Sequence, residues 1–575
     1  MRNASSGSPI TISPGLVPRP AGQGEARRAD TRLRALAVTG AVLVAFGAVA
    51  GQLVRLVARG HGAISVAMNE AVATSYARPD IADRNGRLIA TDLETHSLYA
   101  DPALVLDRDE MVEKLATVLG EFDEAALRQQ LADRTRRFVW VRRGLTPATA
   151  KAVHDLGLPG LAFRRELRRA YPAGNIAGHL VGYVNIDNKG LAGMERHLDE
   201  AGRSEAVHGA TLSEKAPVRL SIDLGVQHTL EDELRGAVQR YQAAGAAGVV
   251  LDVRSGEVLA SASLPDVDPA HSATALDAAR PDRVQGGTYE LGSIFKTLTL
   301  AMALEDGQAT LDTMLDVREP LTVGRFTIRD LHPLGRPLSL SEVFVHSSNV
   351  GAGMLALEAG AERQRSFLDS LGLLGQLRTE TGPVAPPQVP ARWDRAETIT
   401  VSYGHGLAVA PLQFAAAAAS LVNGGEWVAP TFLRRLPGDQ ITRTRVVKSE
   451  TSARVRDLMR RNVVDAHGTG RRADAAGYEV GGKTGTAELP AKGGYKSNAV
   501  IASFLGAFPM REPRYVTLVM LFEPKPTADA RNMVLAGANA APTTGRLVAR
   551  IAPLLGVLPD GTPAPLDEGE GIDAP

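Results

Sequence analysis

The chain has 575 residues, 44% of them hydrophobic, enough for several domain-sized units with buried cores. Lys plus Arg and Asp plus Glu number 64 each, so net charge gives no argument for nucleic acid or an acidic partner. Cysteine is absent, which excludes disulfides, thiolate metal sites and a cysteine nucleophile.

Residues 1–34 hold Pro9, Pro14, Pro18 and Pro20 with several Gly and Ser, the composition of a disordered segment. Residues 35–54 are uncharged, mostly Ala, Val, Leu and Gly, and long enough for a helix to cross a bilayer. Arg2, Arg19, Arg27, Arg28, Arg32 and Arg34 precede this run, and only Arg55 and Arg59 follow it before Arg78. That asymmetry predicts a cytoplasmic N-terminus, with everything after residue 55 outside. A cleaved signal peptide competes, because Ala48-Val49-Ala50 has the form of a cleavage site. The long basic region and the continuation of the apolar run to Val54 favour an uncleaved anchor. A buried soluble helix is a third reading, against which the basic flank counts.

Residues 55–217 read as a spacer or docking module with no convergent set of chemical groups. Asn85-Gly86 between short apolar runs signals a hairpin. Met111, Leu115, Val118 and Leu119 share a helix face, and Thr146-Pro147 reads as an N-cap followed by proline at the first helical position. The pattern changes near Val218. Residues 218–222 alternate like a strand, 226–240 look amphipathic, and 248–253 with 258–262 flank a probable hairpin turn. Helical runs follow from Ser293, over 339–375 and over 411–422. Strands return at 478–487, 500–508 and 515–522. Strands early, helices between and strands late predict an α+β domain with one antiparallel sheet flanked by helices. Residues 558–575 are Pro/Gly/acidic, a flexible tail.

Three motifs carry the chemistry. Ser293-Ile294-Phe295-Lys296 opens a helical run, which puts Ser293 and Lys296 on one face. The hydroxyl then sits at the positive end of the helix, and a neutral lysine one turn on can take its proton. Ser347-Ser348-Asn349 comes next, then Lys483-Thr484-Gly485-Thr486. Each is common alone. In this order, and on helix, loop and strand, they form the signature of penicillin-binding proteins and serine β-lactamases. In this scheme Ser293 is the nucleophile and Lys296 its base, kept neutral by burial and by the charge of Lys483. Ser347 relays a proton. Asn349 fixes the lysine and bonds the substrate backbone. Lys483, Thr484 and Thr486 suit a terminal carboxylate, and Gly485 leaves the strand bare for substrate. The N–H groups of Ser293 and Thr486 form the oxyanion hole.

Rival motifs fail on context. Gly477–Thr484 matches the phosphate-binding pattern G-x-x-x-x-G-K-[ST], but no apolar strand precedes it and no helix-forming stretch follows. His346 and His405 sit beside motif residues, yet no G-x-S-x-G elbow surrounds a serine, so both read as local hydrogen-bonding residues. No metal-ligand spacing stands out, and no metal is expected.

Over nearly all of residues 35–557 the chain resembles the class B penicillin-binding proteins. Arg78–Gly86 is similar to that family's N-terminal motif, with Pro79 where glycine is usual. Tyr171-Pro172, Gly190–Glu195, Gly256–Ala260, Ser402–Gly406, Pro411–Gln413, Asn423–Gly425 and Gly468–Gly470 resemble further landmarks. Leu291 and Ile294 replace a common proline and threonine around the nucleophile. The resemblance implies five segments: a cytoplasmic segment (1–34), an anchor (35–54), an elongated N-terminal pedestal or dimerisation-like module (55–217), a β-lactamase-like transpeptidase domain (218–557) and a tail (558–575). It implies a peptidoglycan D,D-transpeptidase acting on stem peptides ending in D-Ala-D-Ala, acylated by β-lactams and using no cofactor. It also implies a place in the bacterial inner membrane with the catalytic domain periplasmic. A membrane glycan polymerase and other division proteins are the implied partners, with no nucleic acid. Length, the Ser-Tyr-Gly-His-Gly block and the lack of C-terminal repeat modules resemble the division-specific branch. The elongation-specific branch, a β-lactamase, a penicillin sensor and a non-enzymatic scaffold stay open as alternatives.

Overall fold

The computed structural model describes residues 36–55, 75–207, 210–324, 326–491 and 494–560. The segment 1–34, and the tail beyond residue 560, lie outside the described residues. Two units are distinct, residues 1–73 and 74–575. In the first, helix α1 (Leu36–Arg55) has mean hydropathy 1.9 and its side chains are uncovered. Among the described residues it is the one helix long and apolar enough to cross a membrane.

The second unit begins with a sheet of short and long strands: β1 (Ile81–Ala82), β2 (Leu88–Ala100), β3 (Val139–Leu145), β4 (Leu161–Ala170) and β5 (Val218–Arg219). β1 and β2 form the hairpin expected at Asn85-Gly86, with Gly86 at φ +87°. Helices α2 (Arg108–Leu119), α3 (Glu124–Ala132) and α4 (Pro147–Asp155) close a core of Leu98, Met111, Leu115, Leu127 and Val153. Thr146 accepts from the Thr149 backbone N–H, the cap its sequence predicts. The alternation at 218–222 becomes a two-residue strand that pairs in parallel with β1, across the expected boundary at residue 217.

Within residues 55–217 the sequence reading did not foresee a buried ion cluster. Arg78 is buried, and its guanidinium donates to Glu195 Oε2 at 2.8 Å, to Asp199 Oδ1 at 2.6 Å and to two carbonyls, of Asn188 and Glu195. Arg169 donates to Glu195 Oε1 at 2.7 Å and Asp92 Oδ1 at 3.1 Å, and Glu195 itself, on α5 (Gly193–Glu200), has no exposure. The two guanidinium groups share Glu195, and Asp199 and Asp92 each add a second carboxylate, inside a protein where either cation alone is costly.

The larger sheet runs β8-β9-β10-β6-β7, all antiparallel: β6 (Gly245–Asp252), β7 (Val258–Leu264), β8 (Gly481–Ala491), β9 (Gly494–Phe508) and β10 (Tyr515–Phe522). This is the expected α+β architecture. β10 is buried along its whole length because both faces are covered. Tyr515, Val519 and Leu521 face a core with α6 (Leu224–Arg240) and α12 (Ala540–Leu554). Val516, Leu518 and Met520 face the other core, with α7 (Lys296–Glu305), α8 (Leu340–Val345), α9 (Asn349–Ala359), α10 (Pro411–Val422) and α11 (Ser449–Val464). α10 is apolar on every side and buried throughout, the pattern of a helix at the centre of a large domain.

Candidate active site

Ser293 lies in a single 3₁₀ turn, Gly292–Phe295, which runs into α7 at Lys296. The turn is set by close backbone packing. Gly292 has φ +59°, its N–H donates to Gly404 O at 3.1 Å, and a side chain at Gly404 would collide with the Gly292 carbonyl. On the opposite side a side chain at Gly485 would collide with Leu291 O and crowd Ser503 and Ile294. The bare strand at Gly485 was expected to admit substrate. Its space is instead taken by the serine turn, which draws β8 against the nucleophile. A Cβ on Gly292 would in turn lie 3.2 Å from Thr486 N. The Ser293 and Thr486 backbones are thereby neighbours, as a shared oxyanion site requires.

Lys296 is fully buried, with Nζ 3.0 Å from Ser293 Oγ, 3.1 Å from Ser347 Oγ, 2.6 Å from Ser347 O and 2.7 Å from Asn349 Oδ1. The two shortest partners only accept. A neutral amine has two N–H donors for them and one lone pair left, which faces the hydroxyls. Burial holds the Lys296 pKa well below the usual lysine value, and the Lys483 charge pushes the same way against Asp330. Lys483 Nζ is 3.0 Å from Ser347 Oγ, so that hydroxyl joins both lysines. Burial lowers the Lys483 pKa to about 7. Ser347 reaches both amines from a left-handed backbone conformation, φ +60°, unusual for a residue with a side chain.

Ser293, Lys296, Ser347, Asn349 and Lys483 thus converge at hydrogen-bond distance. The threonines of the third motif are engaged nearby. Thr484 Oγ1 donates to Thr469 Oγ1 at 2.8 Å, and Thr486 Oγ1 accepts from Ala536 N at 3.2 Å. His346 packs against the ring of His467, centroids 5.7 Å apart, and burial lowers its pKa.

Sequence reasoning missed Asp330. Its carboxylate accepts from Ser348 Oγ at 2.6 Å, Asn349 N at 2.6 Å and Val350 N at 2.9 Å. It caps α9 and holds the second motif in place, a charge at the helix end where backbone N–H groups are free to receive it. Nothing in the surrounding Thr327–Pro333 marks it; the role comes from a fold contact. Thr469 lay within a landmark without a role. Among the described residues no group of His, Asp and Glu side chains is placed to hold a metal ion.

A serine bonded to a buried lysine, a second serine between two lysines, and a strand lying along the serine turn form an arrangement suited to acyl transfer. The penicillin-binding protein transpeptidase domain family matches residues 246–544, and the penicillin-binding protein dimerisation domain family matches 74–253. Among curated proteins the chain is 42% identical to the probable peptidoglycan D,D-transpeptidase FtsI of Caulobacter vibrioides, over 84% of this chain and 82% of that one. It is 32% identical to the probable peptidoglycan D,D-transpeptidase PenA of Neisseria meningitidis, over 78% and 80%. It is 29% identical to the peptidoglycan D,D-transpeptidase FtsI of Escherichia coli K12, over 84% and 85%. The chain belongs to the class B penicillin-binding proteins, a family of peptidoglycan D,D-transpeptidases.

Proposed function

We propose that this transpeptidase cross-links stem peptides at the division septum through an acyl-enzyme on Ser293. The observation that carries the mechanism is the four-oxygen setting of Lys296, which leaves its lone pair toward Ser293 Oγ. Ser293 attacks the carbonyl of the penultimate D-Ala as its proton passes to Lys296. The oxyanion forms between the N–H groups of Ser293 and Thr486. Ser347, touching both amines, carries the proton to the departing D-Ala. The terminal carboxylate lies toward Lys483, Thr484 and Thr486. Asn349 steadies Lys296 and bonds the peptide backbone. An amine of a neighbouring stem then resolves the ester. No cofactor enters the scheme.

The septal role is supported by the Ser402–Gly406 block and by alignments spanning more than four-fifths of both FtsI relatives. In this reading α1 anchors the chain with residues 1–34 cytoplasmic. Residues 55–217 serve as a docking module for a glycan polymerase and other division proteins. Residues 218–557 form the periplasmic catalytic domain. Mass spectrometry after incubation with penicillin tests the mechanism. A long-lived adduct on Ser293, absent in Ser293→Ala, is expected. Rapid turnover would make the protein a β-lactamase, and an adduct elsewhere or none would end the assignment. Depletion in cells separates the two branches: filaments support a septal role, rounded cells an elongation role.

A further inference from the structure

β8 stands at the edge of the larger sheet, beside β9, and α11 holds it through one residue. Asn462, in the last turn of α11, has no exposure. Its Nδ2 donates to Gly482 O at 2.8 Å, and its Oδ1 accepts from Thr469 N at 3.1 Å and from Thr469 Oγ1 at 3.0 Å. The loop after the helix wraps the same residue. Gly470 N donates to Asn462 O at 3.2 Å, and a side chain at Gly468 would collide with that carbonyl. Thr469 Oγ1 in turn accepts from Thr484 Oγ1 at 2.8 Å. Gly482 and Thr484 stand on either side of Lys483, so one asparagine and one threonine grip the strand at both flanks of the lysine. Neither Asn462 nor Thr469 takes part in the acylation steps described above.

Donors and acceptors give this chain a direction. The Gly482 carbonyl can only accept, so the amino end of Asn462 faces it and the amide oxygen faces Thr469. That oxygen can only accept as well. It takes the Thr469 hydroxyl proton, and the Thr469 lone pairs receive the proton of Thr484. Thr484 keeps its own lone pairs for other partners. Lys483 Nζ lies 3.5 Å from Thr484 Oγ1, 3.1 Å from Thr484 O and 3.0 Å from Ser347 Oγ, an oxygen for each N–H donor of an ammonium. We propose that Asn462 and Thr469 are positioning residues for carboxylate recognition: they pin β8 at both flanks of Lys483 and turn the Thr484 oxygen toward its ammonium, which then meets the terminal carboxylate of the substrate. The proposal rests on the acyl-enzyme reading above and gives Thr484 a place behind Lys483. Thr484 orients the cation, and its own proton is spent on Thr469.

The test uses the full chain in detergent and a pair of thioester donors. One is an N-acyl-D-alanyl thioglycolate, which ends in a carboxylate; the other is its methyl ester, which ends uncharged. The readout is the ratio of their kcat/KM values for thiol release, in which any loss of folded protein or of Ser293 reactivity cancels. Thr469→Val keeps the shape and the backbone N–H to Asn462 and removes only the hydroxyl. It should lower the ratio about tenfold, the low end for a hydrogen bond that serves a charged group. Thr469→Ala should lower it as far, and reports even where the valine variant does not fold. Thr469→Ser keeps the hydroxyl and loses a methyl, and should stay within about twofold of wild type. A packing role predicts the other order, with serine and alanine impaired and valine spared. A ratio unchanged or raised in Thr469→Val and Thr469→Ala, or lowered as far in Thr469→Ser, overturns the proposal. Wild-type protein forming no adduct on Ser293 overturns the acyl-enzyme reading, and the proposal with it.

Discussion

Lys296 and Lys483 are both fully buried, and in the proposed mechanism they differ in charge and in work. Lys296 must be neutral to take the Ser293 proton, and an arginine cannot lose its proton near neutral pH. Lys296→Arg should therefore lower β-lactam acylation by at least about 10²–10⁴-fold at any accessible pH, whereas Lys483→Arg should retain measurable acylation. The pH profile separates them further. Lowering the pH through the depressed pKa of Lys296 protonates the base. Raising it through about 7 discharges Lys483 and removes the cation that meets a carboxylate. Second-order acylation should thus be bell-shaped, with limbs that belong to the coupled pair. The alkaline limb should vanish in Lys483→Arg; its persistence would assign that limb elsewhere. Ser347 makes a different case. Ser347→Ala and Ser347→Gly both lose the relay hydroxyl, but only glycine relieves φ +60°. The glycine variant should be more stable than the alanine variant by about 1 kcal/mol, as thermal unfolding would show. The convergence of these residues was legible because three short motifs name them. Asp330 was not: it meets Ser348 and Asn349 only through the fold.

Among the elements, the clearest lesson lies in the ion cluster around Arg78. Arg78–Gly86 and Gly190–Glu195 stood out in the sequence as separate landmarks. Their meeting, with Arg169 and Asp92 from two further strands, could not be read from either. Glu195→Gln leaves two buried guanidinium groups short of a counter-charge and should destabilise the protein by about 3–5 kcal/mol. Denaturant unfolding would check this, and a loss under 1 kcal/mol would mean that Asp92 and Asp199 suffice. Strand reading succeeded where burial is two-sided: residues 515–522 are apolar except Thr517, and β10 has those bounds. At Val218–Arg219 alternation marked a real strand but not its partner, Ile81–Ala82, which lies far upstream. β8 and β9 extend beyond the expected 478–487 and 500–508, β8 to Ala491 through Pro490 and β9 starting at Gly494.

For the whole molecule, the proposed topology rests on α1. An alkaline phosphatase fusion after residue 60 should be active outside the cytoplasm, and a fluorescent fusion before residue 30 should glow within it. The mature protein should keep its N-terminus; a chain starting at Gly51 would show cleavage after Ala50 instead. Hydropathy made this helix legible; α10, also apolar, is 12 residues long against its 20, too short to cross a bilayer. One feature described above bears on drug resistance. The serine turn is gripped by the backbones of Gly404 and Gly485, with no room for a side chain at either. Penicillin and stem peptide compete for the same hydroxyl, so any change that loosens this grip harms both reactions together. Selection by β-lactams can find no discriminating substitution there. It is left with positions whose side chains are at least partly open to solvent, such as His405 and Glu488. The tightness that makes the centre reactive confines adaptation to its rim.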